Sequence, residues 1–327
     1  MNKRRRLLFA LGMGVLAWAD AGRARAPEKV RQIGVLSPFS ASVAAPLHQA
    51  FRSSLSDLGW VEGKNVNIEY RYAEGSGNRL DDLAADLVRL KVDVIVTSVT
   101  ADALAAHKAT RTIPIVVAVG DPVALGLVES LARPGGNVTG LSTMSVETAG
   151  KRLELLTDLL PKLSRVAVLW DPQSPISTLA WKETQLPARR LGVQLHSLEV
   201  RSSDELDQAV ESAIRSRADA IDVMPGPVFT SNLKRIADLA AKNRLPSIFP
   251  FPAYADAGGL ATFGPDRVDL FRRAATFVDR ILKGAKPRDL PIDRAIRFEL
   301  VINMKTAKAL DITIPESVLV RADRLIK

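Results

Sequence analysis

Strand signals and helix signals alternate along this chain, and the alternation occurs twice. Arg31–Ser37 is a short aliphatic run read as a strand, followed by an amphipathic helix around Pro46–Leu58 that Gly59 ends. Val66, Ile68, Tyr70 and Tyr72 fall at every second position, the period of a strand with one buried face. Leu80, Leu83, Ala84, Leu87 and Val88 form one helical stripe across Leu80–Leu90. Asp93–Thr97 reads as a buried strand, Ala101–Thr110 as a helix and Ile115–Val119 as a strand. The scheme then restarts with strands at Arg165–Trp170, Val193–Val200, Ala218–Met224 and Ser247–Phe249. Helices at Thr178–Leu191, Ser203–Arg215 and Asn232–Asn243 separate them, and Pro187 is expected to kink the first or delay its start. A strand at Gly258–Phe263, a helix at Asp266–Leu282, a strand at Phe298–Ile302 and a short helix at Met304–Leu310 complete the pattern. Such alternation predicts an α/β fold built on parallel sheets.

Two local echoes tie the halves together. Lys91-Val92-Asp93-Val94-Ile95 matches Arg217-Ala218-Asp219-Ala220-Ile221, and Arg111-Thr112-Ile113-Pro114-Ile115 matches Asn243-Arg244-Leu245-Pro246-Ser247. They recur in the same order, as an internal duplication would leave them. They also suit turns common to any doubly wound sheet, so both origins stay open. Two lobes sharing the C-terminal segment require the chain to cross between them more than once. Several crossings make a hinge, with a ligand cleft between the lobes.

The first residues carry Lys3, Arg4, Arg5 and Arg6 ahead of the uncharged run Leu7–Ala19. That run is too short to span a bilayer, which takes roughly 20 apolar residues. Small residues follow at Ala19-Asp20-Ala21 and Ala24-Arg25-Ala26, so residues 1–26 are expected to be an export signal cleaved after residue 21 or 26. Arg4-Arg5-Arg6-Leu7-Leu8-Phe9 also suits a twin-arginine signal, which leaves the route open. Of the formal charge of +9, the leader supplies more than half, with six Lys/Arg and one Asp. A nucleic-acid partner is therefore not expected. A hydrophobic content of 47% with 25% charged residues excludes general disorder. The chain has no cysteine, which excludes disulfides, thiolate zinc sites, a cysteine nucleophile and a lipid anchor on an N-terminal cysteine. A leader without a lipid acceptor implies a mature chain that is soluble and free in the periplasm.

Familiar catalytic signatures are missing. There is no phosphate loop and no Gly-x-Ser-x-Gly elbow, and the turn after the first strand, Ser37-Pro38-Phe39-Ser40-Ala41-Ser42, has no dinucleotide-binding glycines. His48, His107 and His196 stand apart, with no partner at metal spacing. Gly75-Ser76-Gly77 reads as a flexible turn, and Asp81-Asp82 as a helix first turn. No cofactor and no metal is expected. Ligands of open α/β sheets bind outside the carboxyl ends of the strands. Those ends carry Ser37, Thr97, Ser98, Thr100, Asp121, Trp170, Asp171, Pro225, Phe251 and Tyr254. Hydroxyls and free N–H groups suit a carboxylate or another anion. The two aspartates suit an amine or hydroxyl, and the aromatics a planar body.

Longer stretches carry a resemblance. These include Leu58-Gly59-Trp60-Val61-Glu62-Gly63-Lys64-Asn65, Val119-Gly120-Asp121-Pro122-Val123 and Leu131-Ala132-Arg133-Pro134-Gly135-Gly136-Asn137-Val138-Thr139-Gly140. Others are Lys151-Arg152-Leu153-Glu154-Leu155-Leu156 and Phe298-Glu299-Leu300-Val301-Ile302-Asn303-Met304. In them the chain resembles ABC transporter substrate-binding proteins of the tryptophan/tyrosine-type group, from about Arg31 to Ile326. The resemblance implies two doubly wound parallel-sheet lobes of the type I periplasmic-binding fold, joined by a multi-crossover hinge. The expected lobes are residues 27–142 plus 254–290, and residues 143–253 plus 291–327. It also implies a monomeric receptor that closes on a small solute and docks on an inner-membrane permease driven by a separate ATPase. By position, Asp121 and Asp171 fall at facing cleft edges. Met224-Pro225-Gly226-Pro227 departs from the group, with glycine where an acidic residue is frequent, and Phe251-Pro252-Ala253-Tyr254 lacks an Arg-Glu pair often seen there. An aromatic amino acid or other small carboxylate is the expected ligand class. The alternatives are an exported α/β enzyme such as a hydrolase, for which no base–nucleophile pair is present, and a ligand-sensing partner of a membrane receptor.

Overall fold

In the computed structural model, residues 30–327 are described; the expected export signal, residues 1–26, lies outside them. The chain opens with β1 (Arg31–Ser37), α1 (Ala41–Asp57), β2 (Val66–Tyr72), α2 (Leu80–Arg89) and β3 (Val94–Thr97). It continues with α3 (Thr100–Ala109), β4 (Ile115–Val117), β5 (Val138–Ser142) and α4 (Glu147–Leu159). The restart comprises β6 (Arg165–Trp170), α5 (Pro175–Leu191), β7 (Gln194–Glu199), α6 (Leu206–Arg215) and β8 (Ala220–Val223). Then come α7 (Pro227–Ser231), α8 (Leu233–Lys242), β9 (Ser247–Phe249), α9 (Ala253–Asp256) and β10 (Ala261–Pro265). The chain closes with α10 (Arg267–Leu282), β11 (Asp293–Arg294), β12 (Phe298–Asn303), α11 (Met304–Ala309), α12 (Glu316–Leu319) and β13 (Arg324–Ile326).

These strands form two sheets, ordered β11-β5-β4-β3-β1-β2 and β13-β12-β10-β9-β8-β6-β7. Every pairing in the first is parallel. The second is parallel except where β10 meets β12. Each sheet is buried on both faces. In the first, Phe51 and Phe271 lie in one core and Leu87 and Ala106 in the other; in the second, Leu153 and Ala180 oppose Val210 and Ile236. Two doubly wound lobes result, as the periodicity and the resemblance imply.

The order β2-β1-β3-β4-β5 is repeated by β7-β6-β8-β9-β10. The first echo has the same job in both copies. Lys91 and Arg217 each follow a helix in left-handed backbone, both at φ 53°. Asp93 then accepts the backbone N–H of Gln32 at 2.8 Å, and Asp219 that of Arg165 at 2.8 Å. Each carboxylate thus fastens the third strand of its sheet to the first.

The chain passes between the sheets three times, after β5, after β10 and after β11. The strand at 261–265, assigned to the first lobe by the expected boundary at 254, pairs with β9 and β12 in the second sheet. Residues 293–294, expected in the second lobe, pair with β5 in the first. The sequence marks each strand but not which sheet edge it joins. The second crossing falls at Pro265-Asp266, where Asp266 caps α10 by accepting the N–H of Val268 at 2.8 Å. α5 runs through Pro187 without a break; a methyl group on Gly150 of α4 would stand 2.7 Å from the proline ring. Gly150 therefore gives the ring its room, and the kink expected from propensity does not end the helix.

Candidate functional site

A cleft of about 1050 Å³ lies between the lobes, at the carboxyl ends of the strands of both sheets. The first lobe contributes the Glu74–Asn78 loop after β2 and Val99, Thr100 and Ala101 at the start of α3. The second contributes Asp171 after β6, Ser174 at the start of α5, Arg201–Ser203 after β7, Pro225–Val228 and Thr230–Asn232 after β8 and Phe251 after β9. Thr143 and Ser145, on the first crossing, form part of the lining. The lips nearly meet: a methyl group on Gly75 would stand 3.9 Å from the Ser231 hydroxyl of the other lobe.

Thr100, Asp171, Pro225 and Phe251 of the sequence-derived candidates line the cleft. Asp171 is largely buried, and its Oδ1 accepts the N–H of Gln173 at 2.8 Å. Its own N–H donates to the Ser177 hydroxyl at 2.9 Å, fixing the turn that opens α5. Burial pushes the carboxyl up, and Arg201 at the rim pulls it back. Gly226 stands beside it: a methyl group there would lie 3.9 Å from the Asp171 Cβ. With glycine at 226, Asp171 is the carboxylate that the second lobe presents to the cleft.

The remaining six lie behind the lining, each for a visible reason. The Ser37 hydroxyl accepts the N–H of Phe39 at 3.3 Å and is fully buried. Ser98 donates its hydroxyl to the Leu36 carbonyl at 3.3 Å, tying β3 to β1, and Thr97 is buried in the same strand end. Asp121 is a hinge clamp. Its carboxylate accepts the Ser142 and Thr143 hydroxyls at 2.9 and 3.1 Å and the Ser145 N–H at 2.8 Å, all on the first crossing. Burial pushes its carboxyl up against those donors. Trp170 stacks on Trp181 of α5 with ring centroids 6.0 Å apart and donates Nε1–H to Ser197 at 2.8 Å. Tyr254 stacks on Phe249 at 4.7 Å within the second-lobe core.

Asp102, absent from the sequence-derived set, orders the loop that presents Thr100. Its carboxylate accepts the N–H groups of Ser98 at 2.6 Å and Val99 at 2.9 Å. Burial pushes its carboxyl up to about 7 even against those donors. Thr100 and Ala101, the first two residues of α3, line the cleft wall, and N–H groups at that place in a helix have no partner within it. The Glu74–Asn78 and Arg201–Ser203 segments were also missed; the strand-end rule, extended to β2 and β7, finds both. Chemically the lining offers hydroxyls, side-chain amides, helix N–H groups, the carboxylates of Glu74, Asp81 and Asp171, the cations Lys108 and Arg201 and one aromatic face, and no histidine is part of it. Among the described residues no helix is long and apolar enough to cross a membrane.

The geometry agrees with what the chain is similar to. A Tyrosine-binding protein of Clostridioides difficile is 29% identical over 286 residues, covering 87% of this chain and 82% of that protein. The crystal structure of a conserved domain protein from Vibrio cholerae superposes with a TM-score of 0.86 at 29% identity, over 91% of this chain and 100% of that one. An ABC domain from Streptococcus pneumonia in complex with L-Trp gives 0.83 at 29% identity, over 90% and 99%. The family described as ABC transporter substrate binding protein matches residues 32–326. With its two doubly wound lobes and the cleft between them, the chain belongs to the ABC transporter substrate-binding protein family.

Proposed function

We propose that this solute receptor works in the periplasm as a monomer, binds without turnover, and delivers a small amino acid-like ligand to an inner-membrane permease. The observation that carries the ligand class is the pairing of opposite chemistries across the cleft. Asp171 on the second lobe is an acceptor for an ammonium group. The α3 first turn with Thr100, on the first lobe, is a donor set for a carboxylate. Phe251 supplies one apolar face for a planar side chain. The relatives named for tyrosine and solved with L-Trp support the same class. Binding that engages both lobes at once favours closure, because only the closed arrangement satisfies both ends of the ligand. Titration calorimetry against the amino acids and aromatic carboxylates tests this. An amino acid is expected to bind, with affinity falling about tenfold or more in Asp171→Asn as a charged hydrogen bond is lost. No heat and no melting shift across the panel would remove the amino-acid reading.

A further inference from the structure

Arg267 opens α10 directly after the second crossing between the lobes. Its guanidinium carbon lies 5.1 Å from the ring centroid of Phe39 and 5.1 Å from that of Phe251. Phe39 is fully buried and follows β1 in the first lobe; Phe251 follows β9 in the second and forms part of the cleft wall. One planar cation is thus held between an aromatic face from each lobe. Its Nε and Nη2 are buried without a hydrogen-bond partner. Acidic groups act on it through space from both sides as well, Asp102 on α3 in the first lobe and the uncharged Tyr254 phenol on α9 in the second. Burial lowers Arg267 to about 10.

Two effects oppose each other here. A guanidinium is flat and weakly hydrated, so it stacks on rings and tolerates a dry site better than an ammonium does. Its unpaired N–H groups would nevertheless be better satisfied in water. Stacking therefore favours the lobes in contact, and hydration favours their separation. We propose that Arg267 is an interlobe latch, positioned between Phe39 and Phe251, that sets the balance between open and closed receptor before any ligand arrives. The inference rests on the reading of the chain as a closing receptor. The latch also connects the cleft to the hinge, since Phe251 touches both the ligand space and the arginine. Ser37 acts in support, accepting the Phe39 N–H and so holding the first-lobe ring in place.

The chain's lack of cysteine makes the test direct. Cysteines introduced at exposed Asp57 on α1 and Glu211 on α6 carry two spin labels, one per lobe, and report the lobe distance without ligand. Phe39→Leu removes one ring, and Arg267→Lys replaces a stacking cation with a strongly hydrated one. Both are expected to raise the open-to-closed ratio by about threefold or more. Arg267→Met keeps apolar bulk between the rings with nothing to hydrate, and is expected to lower it. A residue needed only for folding would not shift the ratio in opposite directions. An unchanged distance distribution in all three variants, or Lys and Met variants moving the same way, would overturn the latch. Because no ligand is added, that result would leave the ligand reading untouched, just as a silent calorimetry panel would leave the latch standing.

Discussion

At the scale of single residues, several of the polar groups expected to meet ligand are used to hold the backbone that does. Asp102, which was not among them, does the same: it is a fully buried carboxyl whose hydrogen bonds go to the loop before α3 and to the Ala103 N–H in the helix's first turn. Burial raises it from the ordinary aspartate value to about 7. Ionisation is therefore harder in the folded chain than in the unfolded one, so its contribution to stability is full below about pH 4 and is lost as the pH rises through about 7. The stability gap between wild type and Asp102→Asn is expected to shrink by on the order of 2–4 kcal/mol between pH 4 and pH 8. Urea unfolding across that range checks it, and a gap independent of pH would contradict it. Which side chains face the cleft was only partly legible. The strand-end rule located both Trp170 and Asp171, but it does not say on which side of the sheet the last strand residue emerges. Trp170 turns to the face covered by α5, and Asp171, one residue on, reaches the cleft. Arg267 gave no signal at all, because its role depends on two phenylalanines more than 200 residues apart in sequence.

At the scale of elements, periodicity read most strands to within a few residues, since a parallel strand buried on both faces is a short aliphatic run. β5 was not legible that way. Thr139 and Gly140 dilute its aliphatic run, and no element was expected between residues 120 and 164. Gly140 is there for contact: a methyl group on it would fall 2.2 Å from the Val117 carbonyl of the neighbouring strand. Gly264 plays the same part in β10, with a methyl group falling 1.7 Å from the Pro250 carbonyl. These are two of the three strands from which the chain leaves one lobe for the other. Gly264→Ala is expected to cost about 3 kcal/mol by forcing the backbone apart. Gly136→Ala, where a methyl group meets nothing within 4 Å, is expected to stay within about 0.5 kcal/mol of wild type. Chemical denaturation midpoints compare the two, and equal midpoints would show that β10 can shift to make room.

At the scale of the whole molecule, the duplicated sheets were legible from the repeated alternation, and the lobe boundaries were not. Their placement depends on edge pairings such as β11 with β5, which two-residue strands do not announce. The three crossings lie side by side, bonded through Ala295 N–H to the Ser142 carbonyl at 2.7 Å and Asp266 N–H to the Arg297 carbonyl at 3.3 Å. Asp121 braces the first of them. A hinge of this kind bends while its neighbours stay rigid, so ligand is expected to lower the radius of gyration in solution scattering. An unchanged radius with a ligand shown to be bound would exclude closure.

The same three crossings constrain the order in which the molecule can be assembled. α1 rests on α10, and Trp60 donates Nε1–H to Asp279 at 2.9 Å, so one face of the first sheet is completed by residues 267–282. A chain emerging from its N-terminus makes β1 to β5 early, and α1 with them, but cannot finish covering that face until the second lobe has been almost fully synthesised. Contacts of that sequence separation form slowly. The first lobe is thus among the last parts to finish folding, and the hinge that later permits motion first delays the native state.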